Sequence, residues 1–247
     1  MDFEIWQWAL FVLATVIIGM SKTGIPGLGI LAVAVFANLL PAKEATGLVL
    51  PLLIFADVFA VLFYRRHAEW KYFLRLFPWA ILGVFAGYFA LKTIDDVQAK
   101  IMIGTILLIM LVVHFVRKSK EAKLEKKMVE SGAWFAPFVG IAGGFATTVA
   151  NAAGPIMILY LLAVRLPKMA FMGTAAVYFL ILNTFKVPFL LNLDLITTES
   201  LMMDLYLLPA ILVGAYTGKK IIHLVDQVLF ERLALLLTLL AALKLFF

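Results

Sequence analysis

Residues 19–29 read GMSKTGIPGLG and place a lysine, a proline and four glycines between two apolar runs. The surrounding chain of 247 residues is 64% hydrophobic and only 15% charged, whereas soluble proteins are about 45–50% apolar. This composition predicts an all-α polytopic membrane protein. A lysine within broken backbone in such a chain marks either a loop between membrane helices or a site inside the membrane.

The formal net charge of +6 comes from Lys and Arg residues in short loops. That distribution is the positive-inside signature of a membrane protein, so no nucleic-acid partner is expected. The chain contains no cysteine, which excludes thiol catalysis and disulfides. The first residues, MDFEIWQW, are acidic, so the first apolar run is expected to be retained as a membrane segment rather than removed as a signal peptide.

Ten apolar segments follow one another, and most approach the roughly 20 residues that a spanning helix needs. A basic polar stretch at 117–130 divides them into two predicted transmembrane repeats, 1–116 and 131–247. The ten segments are 4–20, 26–40, 44–64, 72–92, 97–116, 132–148, 153–165, 169–190, 200–219 and 227–247.

The two halves share a spacing of proline, glycine and polar residues. Pro41, Gly47 and Asp57 recur 126 residues later as Pro167, Gly173 and Asn183. Further along, the pairs G-x-x-x-G at 83–87 and 214–218 recur at a spacing of 131. Such repetition is hard to obtain by chance from apolar composition, so it predicts an internal duplication.

Loop charges predict that the duplicated halves are inverted. The loop 64–75 is rich in Arg and Lys and is expected to be cytoplasmic, whereas its counterpart 192–204 has neither and is expected outside. Each half then comprises a broken or re-entrant hairpin of two short helices followed by three spanning helices. Both termini are expected outside and the linker 117–130 in the cytoplasm, in the inner membrane of the cell.

The tips of the two hairpins are the predicted substrate site. We name them tip 1 (residues 21–27, SKTGIPG) and tip 2 (residues 147–155, TTVANAAGP). Pro26 and Pro155 are expected to start the second short helices, since proline suits a first helical turn. Two helix starts pointing at one spot would attract an anion. The predicted ligands are Ser21, Lys22, Thr23, Gly24, Thr147, Thr148, Asn151 and Gly154. The alternative is an ordinary surface turn, with Lys22 reaching water.

Three further polar residues lie inside apolar segments. Asp57 is a candidate for carrying a coupling proton or for a structural ion pair with a buried lysine. Its counterpart Asn183 is uncharged, so only one half could carry that proton. Lys186 could line the path of an anion, pair with Asp57 or reach the outer surface. The G-x-x-x-G pairs are expected to allow close helix packing.

No catalytic motif is present, and the three histidines all lie near basic loops, away from any metal-ligand spacing. We therefore expect no catalytic residue, no metal and no cofactor. A membrane enzyme acting on lipids would need a paired nucleophile and base, and the sequence offers none.

Taken together, SKTGIPG, LPLLIFAD (50–57), NAAGP (151–155) and GT (173–174) resemble the sulfite exporter TauE/SafE-like family of permeases over nearly the whole chain. The resemblance implies transport of a small sulfur-containing anion, such as sulfite, a sulfonate or sulfoacetate, with the lipid bilayer as the other partner. It implies about eight spans. The motif positions are Ser21, Lys22, Gly24, Asp57, Asn151, Gly154, Pro155, Gly173 and Thr174.

The predicted mechanism is alternating access by rocking of the two halves about the site between the tips. Two rivals remain open: an anion channel using the same positive tips, and a cation carrier centred on Asp57. The sequence also leaves open a homodimer, the direction of transport and the coupling ion.

Overall fold

The structure, a computed structural model, describes residues 3–93 and 135–244 together with 95, 97, 98, 101, 105, 109 and 112. All regular structure in this part of the chain is helical, which confirms the predicted all-α class. Its helices are α1 (Ile5–Thr23), α2 (Gly29–Leu39), α3 (Ala42–Tyr64), α4 (Trp70–Thr93), α5 (Phe135–Ala150), α6 (Ala153–Ala163), α7 (Lys168–Leu191), α8 (Thr198–Leu224) and α9 (Gln227–Lys244), with a 3₁₀ turn at Arg65–His67.

Five described segments are long and apolar enough to cross a membrane, which identifies a multi-pass membrane protein. They are Ile5–Thr23, Lys43–His67, Trp70–Thr93, Lys168–Leu191 and Thr198–Leu224. The predicted linker 117–130 and all but a few positions of segment 97–116 lie outside the described residues. The division into repeats 1–116 and 131–247 therefore stays a prediction.

The helices of the two halves follow the same order, a hairpin with an 11-residue second arm and then two long helices. The hairpins differ from the predicted pairs of short helices, because α1 has 19 residues and α5 has 16. At 1.5 Å per residue α1 is about 28 Å long, so the first arm of hairpin 1 is itself long enough to span. The inversion of one half relative to the other stays a prediction.

Each hairpin packs mainly on a long helix of the other half, α1 on α8 and α5 on α4. Along the first contact Trp8 meets Tyr206, and the Thr23 hydroxyl donates to Ala215 O, so α1 and α8 run in the same direction. Glycines allow this approach, because a Cβ at Gly214 would collide with the backbone of Val16.

The contact between α4 and α5 is built in the same way. A Cβ at Gly83 would collide with the backbone of α5, and one at Gly144 with the backbone of α4. The G-x-x-x-G residues at 83–87 and 214–218 therefore lie in close helix contacts, as predicted.

The helices α3 and α7 pack on each other at the centre of the protein. Asp57 in α3 and Asn183 in α7 meet there, with the Asn183 amide donating to the Asp57 carboxylate over 2.7 Å. Both side chains are buried. The two residues that the predicted repeat treats as equivalent are thus direct partners, and they form one wall of the site.

Candidate functional site

The two tips and the middles of α3 and α7 line a partly open cavity of about 80 Å³. One water needs about 10–15 Å³ of such space, so the cavity holds several waters or one small polyatomic anion. Its polar lining is Ser21, Lys22, Asp57, Thr147, Asn151 and Asn183, and its apolar lining is Val33, Leu53, Met157, Ile158, Phe171, Met172, Ala175, Ala176 and Phe179. Pro26, Gly27, Gly29, Gly154 and Pro155 complete the wall.

Lys22 lies at the last turn of α1 and extends into this cavity. Its ammonium is 2.8 Å from Asp57 Oδ1 and 4.1 Å from the centroid of the Phe179 ring, and its side chain is 14% exposed. An ammonium has three N–H donors, and Asp57 is its one acceptor among the residues that the structure describes. The alternative of a surface turn, with Lys22 in bulk water, is therefore wrong.

Asp57 is fully buried, with a charge contact at one carboxylate oxygen and a hydrogen bond at the other. Oδ1 faces the Lys22 ammonium and Oδ2 accepts from Asn183. Of the two roles left open by the sequence, the structure shows the ion pair, and it identifies the partner lysine as Lys22. An opposite charge and an amide donor stabilise the carboxylate inside the apolar bundle.

Lys186 is fully buried and fixes tip 2. Its ammonium donates to Thr147 O over 2.8 Å, to Thr147 Oγ1 over 2.8 Å and to Asn151 Oδ1 over 2.9 Å. These three acceptors match the three donors of an ammonium. Lys186 thus neither reaches the outer surface nor pairs with Asp57, because the end of α5 lies within reach of α7.

Asn151 turns the chain between α5 and α6 with a φ of 50°, in the left-handed region that Asn tolerates better than most residues. Its amide nitrogen donates to Thr46 O over 2.9 Å, while its oxygen accepts from Lys186. Asn151 therefore connects α3 and α7 to tip 2. The role of Thr46, whose hydroxyl also donates to Val149 O, is not predicted by the sequence, because its partner lies 103 residues away in the chain.

The start of α6 opens on the cavity. Its N-cap residue, Ala152, makes no side-chain cap, and a Cβ added to Gly154 would meet nothing within 4 Å. The first N–H groups of a helix lack intrahelical partners and carry positive potential. Pro155 lies in the first turn of α6, as predicted, so this helix start can face an anion.

The start of α2 differs from the prediction. The helix begins at Gly29 rather than at Pro26, because Gly27 takes a φ of 98° and the Gly29 N–H donates to Ser21 Oγ over 2.9 Å. Ser21 is therefore the cap of α2 as well as part of the cavity wall. Its side chain ties the last turn of α1 to the first turn of α2.

Three predicted ligands, Thr23, Gly24 and Thr148, are absent from the cavity lining. Thr23 donates to Ala215 O over 2.8 Å and Gly24 packs on the backbone of Gly218. Thr148 donates to Gly144 O over 2.8 Å and lies against Gly87. Successive helical residues point about 100° apart, so the neighbours of Lys22 and Thr147 face the packing helices instead.

Two motif residues also lie away from the cavity, against the turn that follows α3. Gly173 packs on the backbone of Tyr64 and His67, where a Cβ would collide. The Thr174 hydroxyl accepts from the Glu69 N–H over 2.9 Å. Both residues hold the 3₁₀ turn against α7, so their place in the motif reflects packing.

Two basic residues lie at the cavity. Lys22 lines it directly, beside Asp57, whereas Lys186 lies behind Thr147 and Asn151, bound to neutral acceptors alone among the described residues. The cavity therefore offers the donors of Lys22 and of the start of α6 to a small anion.

No curated protein and no solved structure matches the chain. A family model described as sulfite exporter TauE/SafE matches residues 10–245, which is nearly the whole sequence and includes both tips, α3 and α7. Five potential spans and an internal cavity lined by Lys22 agree with a transporter of sulfur anions. The chain therefore belongs to the sulfite exporter TauE/SafE family.

Proposed function

We propose that the protein is a secondary transporter that carries a small sulfur-containing anion, such as sulfite, a sulfonate or sulfoacetate, across the inner membrane. The observation that carries the proposal is the cavity between the tips, which is lined by the Lys22 ammonium and by the start of α6. We place both termini and the loop between α7 and α8 outside, and the linker 117–130 in the cytoplasm.

Electrostatics favours an anion at this place. Lys22 has ammonium donors beyond its contact with Asp57, and the start of α6 adds the positive end of a helix beside Gly154. Thr147 and Asn151, which line the wall, are held in place by Lys186.

Hydrogen-bond donors for the anion come from both tips. Lys22 has donors beyond the one directed at Asp57, and the start of α6 presents N–H groups beside Gly154. Helix N-termini of this kind bind phosphate, sulfate and carboxylate groups. The oxygens of a sulfite or sulfonate group match such donors, while the apolar wall around Phe171 and Met172 accommodates the rest of a larger sulfonate.

The packing suggests which parts move during alternating access. Because α1 packs on α8 and α5 on α4, rocking of one sequence half against the other would break the closest helix contacts in the protein. We infer instead that each hairpin moves with its long partner helix, so that tip 1 travels with α8 and tip 2 with α4. The anion site would then open to either side as the tips separate.

A cation carrier centred on Asp57 receives less support, because the Lys22 ammonium already occupies one oxygen of that carboxylate and Asn183 the other. An anion channel would use the same cavity and differs only in kinetics. A carrier exchanges labelled for unlabelled substrate and saturates, whereas a channel conducts in proportion to concentration.

The test uses the purified full chain in proteoliposomes with sulfite, thiosulfate, sulfoacetate and taurine as separate probes. We expect saturable uptake of at least one anion and counterflow of the labelled anion into vesicles preloaded with the same unlabelled anion. Linear flux without counterflow would establish the channel instead. Absence of transport and of binding for all four would overturn the proposal.

A further inference from the structure

Asp204, in the second turn of α8, is a buried carboxylate that the anion site does not use. Its side chain is only 4% exposed, and both carboxylate oxygens are buried without a hydrogen-bond partner among the described residues. Its neighbours in the chain, Met203 and Leu207, belong to an apolar cluster with Phe11 of α1 and Leu52 of α3. Asp204 therefore lies where α8 packs on α1 and α3.

No charged group compensates this carboxylate in the described part of the chain, where the one carboxylate–ammonium pair is Lys22–Asp57. The charged residues of the packed elements are Glu4 and Lys22 at the ends of α1, Lys43, Glu44 and Asp57 on α3, and Glu199, Lys219, Lys220 and His223 on α8 itself. A buried carboxylate without a cation favours its neutral, proton-bound form, because desolvation penalises the charge.

Polar residues lie along one face of α8 between its N-terminus and Asp204. Thr197, Ser200 and Asp204 are spaced i, i+3 and i+7 and so lie on one face of the helix. Thr197 caps the helix and accepts from the Ser200 N–H over 3.1 Å, and the Ser200 hydroxyl donates to Thr197 O over 3.0 Å. No hydrogen bond joins Ser200 to Asp204 in this structure, so the two hydroxyl groups mark the polar face of α8 along which water would reach the carboxylate.

We propose that Asp204 is a proton-binding site that couples the proton gradient to movement of tip 1. The inference rests on the proposed transport function. With the proton bound, the neutral acid stays buried and α1 packs on α8. When the proton leaves for water on the Thr197–Ser200 side of α8, a bare carboxylate remains at the helix contact, and the contact must open to admit water.

That opening acts on the anion site through α1. Asp204 lies about 21 Å along α8 from Gly218, at 1.5 Å per residue, and Gly218 contacts Thr23. Because Thr23 is adjacent to Lys22, separation of α1 from α8 displaces the ammonium that faces the cavity. Asp57 is a poorer proton carrier, since both of its oxygens are already bound to Lys22 and Asn183.

The first test needs no substrate. Infrared difference spectra between high and low pH are recorded on the reconstituted wild type, Asp204→Asn and the exposed-loop control Asp194→Asn. We expect a protonated carboxylic acid band in wild type and control that is lost in Asp204→Asn. Tryptophan fluorescence should respond to the same pH change in both, through Trp8 beside Tyr206, and not in Asp204→Asn.

The second test uses labelled sulfite with and without an imposed pH gradient. We expect Asp204→Asn to lose all stimulation by the gradient while keeping counterflow, and Asp204→Glu, which retains a carboxyl group, to recover part of the stimulation. An unchanged infrared band and unchanged stimulation in Asp204→Asn would overturn the inference. If wild type shows no sulfite counterflow, the transport proposal fails for that anion, yet the infrared band still decides whether Asp204 binds a proton.

Discussion

Replacing Lys22 and Asp57 singly and together separates the role of the ion pair in folding from its role in binding. Asp57 is fully buried with Lys22 at 2.8 Å, and removing one partner of a buried pair costs about 3–5 kcal/mol. Since the Lys22 side chain remains 14% exposed, we expect Lys22→Met to lower the free energy of unfolding by about 3 kcal/mol, the low end of that range. The double variant Lys22→Met/Asp57→Asn removes both charges of the pair and should lose only about 1 kcal/mol, the value of one ordinary hydrogen bond.

The wild type and the three variants should rank differently in anion affinity than in free energy of unfolding. Each hydrogen bond to a charged group is worth about 1.5–3 kcal/mol, so loss of the ammonium should weaken binding by about 10- to 150-fold in both variants that lack Lys22. Asp57→Asn frees Lys22 from its carboxylate and should bind the anion more tightly than wild type. A stable double variant without affinity would show that Lys22 contacts the anion.

The measurements are unfolding titrations in mixed micelles and calorimetric titration with sulfite or sulfoacetate, on the four proteins side by side. The interaction free energy of the two substitutions should be at least about 2 kcal/mol, well above the 0.3–0.5 kcal/mol scatter of independent sites. Simple additivity would refute the ion-pair argument. Wild-type affinity in the double variant would refute the assignment of Lys22 to the anion.

Two sets of substitutions probe the glycine contact and the second tip. Gly218→Ala puts a Cβ against Thr23 and 2.8 Å from Met20 O, so it should lower the free energy of unfolding by about 1–3 kcal/mol. The control Gly154→Ala faces open space and should be as stable as wild type. Equal stabilities of the two variants would contradict the close α1–α8 contact. Asn151→Gly and Asn151→Ala both lose the bonds to Lys186 and Thr46, but only alanine is strained at a φ of 50°. Alanine should therefore be less stable in the same titration by about 1–2 kcal/mol, and a smaller loss than for glycine would contradict the assigned backbone.

The order of helices and the composition of the tips could be predicted from the sequence, because apolar runs and Gly-Pro breaks are local signals. The direction in which each side chain points could not. Thr23 and Lys22 are adjacent, and only the position of α8 decides that Thr23 packs while Lys22 faces the cavity. Likewise the bond between Lys186 and tip 2 depends on how α7 crosses α5, which spacing alone does not encode.

The start of α2 is a second feature that could not be predicted from the sequence, although the residues involved are close together in the chain. Pro26 is a reasonable first helical residue by local preference, yet the helix starts at Gly29, where the hydroxyl of Ser21 receives the first free N–H. The cap comes from a residue eight positions earlier, across the turn. Helix propensities of neighbouring residues do not include this contact, because it forms only when the hairpin folds.

The packing of α1 on α8 and of α5 on α4 bears on the predicted duplication of the two halves. If the chain arose from a single repeat, that repeat alone would contain a hairpin whose glycine-lined side has no partner helix in its own chain. Such a protein could bury that side only as a domain-swapped dimer, in which the hairpin of each molecule packs on the long helix of the other. Fusion of two copies would then preserve this arrangement within one polypeptide.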